Sequence, residues 1–135
     1  MYASHLGWLH STPEKSTQNR LTSIGADSQL NNMPKCDSVI RRKWNECGCA
    51  MVGSGGVSPL TFTEIESYKS VTGSNLTPFA ASAIKLMSDA YCVWVVKGRA
   101  VACVAPYFED TRTQEQKNKE VANKIRAMAK NRRKP

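Results

Sequence analysis

Cys36, Cys47 and Cys49 are the residues whose type and spacing come closest to a chemical site. Thiolates bind zinc, and a fourth ligand from elsewhere in the chain would complete a tetrahedral set. Cys47-Gly48-Cys49 is C-x-C, however, not the C-x-x-C of common zinc knuckles, and His5 and His10 lie far off in a polar segment. Five cysteines, an odd number, also argue against a disulfide framework in a chain expected in a reducing compartment. Most of them read as small apolar packing residues, Cys92 above all, set between Tyr91 and Trp94.

Other chemistry is sparse. Gly53, Gly55 and Gly56 resemble a phosphate loop only in composition: no Lys-Ser/Thr follows, and Pro59 opens the next element. Glu64 and Glu66 are close in sequence but point to different sides of a helix. A Cys–His pair would have to recruit His5 or His10. The expectation is a binding protein with no cofactor or metal, not an enzyme.

Charge supplies the second candidate function. The chain has 19 Lys+Arg against 11 Asp+Glu, net +8. Residues 112–135 hold nine basic and two acidic residues, net +7, which leaves 10 basic and 9 acidic before them, net +1. Lys124, Arg126, Lys130, Arg132, Arg133 and Lys134 are therefore candidate phosphate contacts, and a nucleic-acid-binding module is the alternative reading. Without an aromatic residue to stack on bases, the same tail also reads as a solvated extension or as a contact for an acidic partner.

The elements that must position these residues are mainly helical. Residues 1–32 are polar and turn-rich and read as an extended N-terminal segment, with Leu6, Trp8 and Leu9 as a brief apolar spot that docks on the body or on a partner. A helical core domain spans 33–108 and a basic, partly helical tail spans 109–135. Residues 34–51 read as the first core helix, capped by Asp37 or Ser38, with Val39, Ile40, Lys43, Trp44 and Cys47 on one side. Arg41, Arg42 and Lys43 read as a solvated face. VGSGGVS, 52–58, reads as a flexible joint.

Residues 59–91 spell two helices and a corner. Thr61 and Glu64 have the spacing of a capping box. Phe62, Ile65, Tyr68 and Thr72 follow at helical spacing, and Gly73 supplies a stop. Thr77 caps again, Pro78 fits the first turn, and an apolar helix over 78–96 ends at Gly98. The β-branched run at 91–96 leaves a second reading, a strand paired with 100–104 across Lys97-Gly98-Arg99. Pro106, Tyr107 and Phe108 form an apolar clasp, and Val121, Ile125 and Met128 mark a basic amphipathic helix with a narrow stripe. The fold expected is a small helical bundle built on a helix-turn-helix hairpin. There is no run of about 18 apolar residues, so no membrane span is expected. The first residues lack the Lys or Arg of a signal peptide.

The pattern carried by Pro59, Leu60, Thr61, Glu64, Ile65, Tyr68, Thr72, Gly73, Leu76, Pro78, Phe79, Asp89 and Tyr91 resembles small proteins of tailed bacteriophages from the tail-assembly gene region. Trp44 stands where those proteins have an aromatic helix before a Gly-rich link, and Cys103, Pro106 and Tyr107 resemble their C-x-A-P-aromatic close. The resemblance covers roughly residues 33–107. Such proteins usually carry Glu where this chain has Ala80, so no role of that carboxylate transfers. The resemblance implies a tail-assembly chaperone for tape-measure or tail-tube proteins, or a minor tail component, in the host bacterial cytoplasm or retained in the virion tail as a structural protein. Trp44, Phe62, Ile65, Tyr68, Phe79, Tyr91 and Trp94 are the candidate partner-binding residues, and a core of about 75 residues, marginal alone, favours docking or self-association.

Overall fold

The computed structural model describes residues 1–132. The fold is mainly helical: α1 (Tyr2–His10), α2 (Arg20–Ser23), α3 (Ser38–Glu46), α4 (Phe62–Thr72), α5 (Pro78–Lys97) and α6 (Gln114–Arg132), with one short antiparallel pair, β1 (Met51–Gly53) and β2 (Gly56–Ser58).

The ends of α4 and α5 follow from local chemistry. Thr61 accepts the Glu64 backbone N–H while the Glu64 carboxylate accepts the Thr61 N–H at 2.6 Å, closing the capping box. Gly73 ends α4 at φ +62°, in the left-handed region where a Cβ is strained. Thr77 accepts from the Ala80 N–H, with Pro78 in the first turn. Helix α5 then runs unbroken to Lys97, so the strand alternative for 91–104 does not form. By length and composition α5 would also be able to cross a membrane, which corrects the expectation that no segment is long and apolar enough. Core helices of globular proteins share that composition, and here α5 is the spine against which α1, α3 and α4 pack.

The N-terminal segment is not extended. Residues 2–10 form α1, which makes the most extensive helix contact in the molecule, along α5 and in the same direction. Its polar residues hid this from periodicity, yet several polar groups in and just after it find partners, although His5 Nδ1 is buried without one. His5 Nε2 lies 2.8 Å from the Leu30 carbonyl, Trp8 Nε1 donates to the Cys103 carbonyl at 3.1 Å, and Ser11 Oγ donates to the Trp8 carbonyl at 2.6 Å. Gly7 permits the approach: a Cβ there would collide with the Tyr91 carbonyl oxygen and lie 3.2 Å from the Trp94 Cβ. The apolar spot docks on the body, with Trp8 and Leu9 buried. Arg20 stacks over Trp8 at 4.9 Å and donates to the carbonyls of Gly98 and Ala100, capping the C-terminal end of α5 from outside.

Helix α3 is shorter than expected. Asp37 caps it through the Val39 and Ile40 N–H groups, but it stops at Glu46 because Gly48 and Cys49 take φ +91° and +61°. The glycine-rich joint is a tight β-hairpin, with Val52 opposite Val57 and Gly53 opposite Gly56. The main core gathers Ala3, Trp44, Leu60, Ile65, Leu76 and Ile84.

Gly7→Ala should lower stability by about 1–3 kcal/mol through overpacking, despite the better helix propensity of alanine. Thr61→Ala should lower it by about 1 kcal/mol through loss of the cap. Urea unfolding reads both, and a Gly7→Ala midpoint at or above wild type contradicts the close α1–α5 contact.

Candidate partner-binding surface

Helix α5 is apolar on both sides. Ile84, Ser88 and Cys92, four residues apart, face the interior and are buried. On the opposite side Phe79, Leu86 and Val93 repeat every seven residues and stand 75%, 68% and 47% exposed, with Val96 at 55%. Such a stripe on a helix is unpartnered apolar surface of the kind that marks interaction sites. Beside it Val57, Pro59, Cys92, Val93 and Val96 line an open groove of about 620 Å³, with Asp89 and Lys97 at its edge. Lys85 pairs with Asp89 one turn away, so the charges flanking the groove are partly neutralised. Helix α4 adds Phe62 and Val71, both exposed, around a second shallow groove with Glu66 and Ser70.

The candidate residues divide. Phe62 and Phe79 are on the surface. Trp44 and Ile65 are not: both lie in the core with at most 2% exposure, so they support the surface and do not form it. Tyr91 is half-buried, its ring edge-on to Trp44 and to His10, with its hydroxyl 2.9 Å from His10 Nδ1. Tyr68 is half-buried and donates to the Glu46 carboxylate, tying α4 to α3. Trp94 is half-buried under the Lys97 ammonium, 5.3 Å from its ring. Leu86, Val93 and Val96 escaped the sequence reading. The seven-residue repeat of Phe79, Leu86 and Val93 was the available signal, masked because the buried side of α5 carries the less apolar Ser88 and Cys92.

Cys47, Cys49 and Cys92 act as packing groups. Cys47 and Cys49 pack against the core around Trp44, and Cys92 is buried in α5. Burial pushes the Cys47 thiol up to about 11, helped by the Glu46 charge, and raises Cys49 and Cys92 as well. Protonated thiols of this kind are poor nucleophiles at neutral pH. Among the described residues no three His, Cys, Asp or Glu side chains converge to hold a metal ion.

The basic tail is organised by an ion-pair knot. Arg112 grips Asp110 at 2.8 and 2.9 Å and also pairs with Glu120, Lys117 reaches Asp110 at 3.2 Å, and Lys124 reaches Glu120 at 2.8 Å. The Arg112 guanidinium holds the Asp110 carboxyl far below the usual carboxylate range, and Lys124 lowers Glu120. Of the candidate phosphate contacts, Lys124 is thus engaged internally. Arg126 lies on an exposed turn, and Lys130 and Arg132 belong to the last turns of α6. Arg133 and Lys134 lie outside the described residues.

Comparison of this chain with protein-family models, with curated proteins and with solved structures found no match.

Both histidines hold α1 in place, and burial lowers both below the ordinary value of 6.5, His5 partly offset by its hydrogen bond to Leu30. A base depressed in the folded state takes up its proton more readily when unfolded. The stability it supports is complete above pH 6.5 and falls as the pH drops toward the folded value. Urea midpoints should therefore decline on acidification from pH 7 to below the ordinary histidine value of about 6.5, and the decline should flatten in His5→Gln and His10→Gln variants. An unchanged slope in both variants contradicts this.

Proposed function

We propose that this chain is a small morphogenesis protein of tailed bacteriophages that acts by protein–protein binding. It serves as an assembly chaperone for tape-measure or tail-tube proteins, or as a minor tail component. The observation that carries the reading is the exposed stripe Phe79, Leu86, Val93 and Val96 along a helix whose other side is already used by the core. An apolar segment of a tail protein laid along this stripe would be kept from aggregating until assembly buries it. The pattern from Pro59 to Tyr91 supplies the link to tail-assembly proteins. In this reading the α4–α5 hairpin is the unit on which the bundle is built, with α1 and α3 closing on it. No reaction or cofactor is assigned, and the site of action is the host bacterial cytoplasm.

A second reading, nucleic-acid binding through the tail, is favoured by one observation. Residues 125–135 contain five basic residues and no acidic one. Against it, Lys117 and Lys124 are tied to carboxylates. Retention in the virion as a structural protein is the third reading, and mass spectrometry of purified particles separates it from a chaperone role.

Co-expression with the tape-measure and tail-tube proteins of the same phage tests the primary reading. Wild type should capture one of them, with little loss at moderate salt, since apolar burial is not screened. The double variant Phe79→Ser, Leu86→Ser should lose capture by about tenfold or more, because each large side chain contributes about 1.5–3 kcal/mol when fully buried. Unchanged capture by the variant, or no capture together with steeply salt-dependent nucleic-acid binding, overturns the proposal.

A further inference from the structure

Helix α6 carries a second unpartnered face, separate from the stripe on α5. Val121, Ile125 and Met128 are each more than half exposed, and among the described residues α6 makes no extensive contact with another helix. With Asn118 they alternate at spacings of three and four residues, which is the narrow seam of a coiled coil and not the broad face of a helix buried in a globular core.

The residues beside the seam define what it fits. Lys117 and Lys124 border it on one side, Ala122 and Ala129 on the other. A second copy in parallel would set each lysine against an alanine, and an antiparallel copy would bring lysine toward lysine, so neither arrangement offers an acidic partner. A phosphate backbone offers nothing to the apolar seam. A lipid surface suits it poorly, because the seam is narrow and α6 contains no aromatic residue. The small alanines leave room for close approach of another helix, and the lysines call for carboxylates on it.

We infer that α6 is one half of a heterotypic coiled coil, and that its partner is a helix with an apolar seam flanked by Glu or Asp. The partner's acidic flank replaces the exposed internal pairs of Lys117 with Asp110 and Lys124 with Glu120, which are surface contacts of small net worth. The Arg112–Asp110 pair stays in place just before the start of α6. In sequence, residues 125–135 carry five basic residues and no acidic one, which favours an acidic partner as well.

The test uses the full chain and two synthetic three-heptad peptides, each with Ile and Leu in the seam and one seam Asn. One carries Glu at the flanking positions and the other Lys. Anisotropy of the labelled peptides should show the Glu-flanked one binding at least about tenfold tighter. Ile125→Ser should abolish the binding while leaving the near-ultraviolet spectrum of the body unchanged. Lys117→Glu with Lys124→Glu should transfer the preference to the Lys-flanked peptide. Equal binding of the two peptides, binding indifferent to Ile125, or a preference that survives the charge reversal overturns the proposal. So does Ile125-dependent dimerisation, or Ile125-dependent binding of phosphatidylglycerol vesicles or duplex DNA, in the absence of peptide binding.

Discussion

The backbone carbonyl of Cys49 is the point on which the structure turns. It accepts from the Trp44 indole at 3.0 Å and from the Ser88 hydroxyl at 2.7 Å, and Ser88 in turn accepts the Leu60 N–H at 2.8 Å. Four segments, α3, the turn after it, the entry to α4 and the middle of α5, meet in one chain of hydrogen bonds. Trp44 and Ser88 are completely buried. Unmade, such bonds would leave buried donors unsatisfied, at roughly 1–3 kcal/mol each. The geometry requires Cys49 to adopt a left-handed conformation, an uncommon state for a residue with a side chain. The C-x-C of the sequence is therefore a turn: Gly48 and Cys49 reverse the chain so that one carbonyl reaches two donors.

What the sequence makes legible is whatever is decided locally. Thr61 with Glu64, Gly73, and Thr77 with Pro78 mark helix ends by side-chain-to-backbone bonds or by backbone freedom, and α4 begins and ends, and α5 begins, where those residues stand; Gly98, in ordinary helical backbone, is instead demanded by the close approach of Ser11. What is decided at long range is not legible. The helical state of residues 2–10 depends on Tyr91, Leu30 and Cys103, none of them near in sequence, and its own residues alternate polar and apolar without a clear period. The same holds for the surface. That Trp44 and Ile65 are interior while Leu86 and Val93 are exterior follows from which side of α5 the other helices occupy. Pattern alone shows only that α5 is apolar all round.

Charge is also arranged by distance. As a sequence the tail reads as one basic run. In the fold, residues 109–124 balance four basic against four acidic residues, and several of these are joined in the Arg112 knot. The positive excess of the sequence thereby falls in residues 125–135.

The pairing of α1 with α5 also sets a clock on the birth of the molecule. Its defining bonds join residues 81 and 95 positions apart. At about 5–20 residues per second of synthesis, α1 leaves the ribosome roughly 4–20 s before the groups that complete it. During that interval Trp8 and Leu9 have no interior to enter, and the chain cannot close from its first helix onward. Closure awaits the loop after α5, where Arg20 finds the carbonyls of Gly98 and Ala100. A fold so dependent on late residues is slow by topology. Its nascent form exposes apolar side chains for longer than a bundle of sequential hairpins would, and is correspondingly more open to capture by other chains while it is being made.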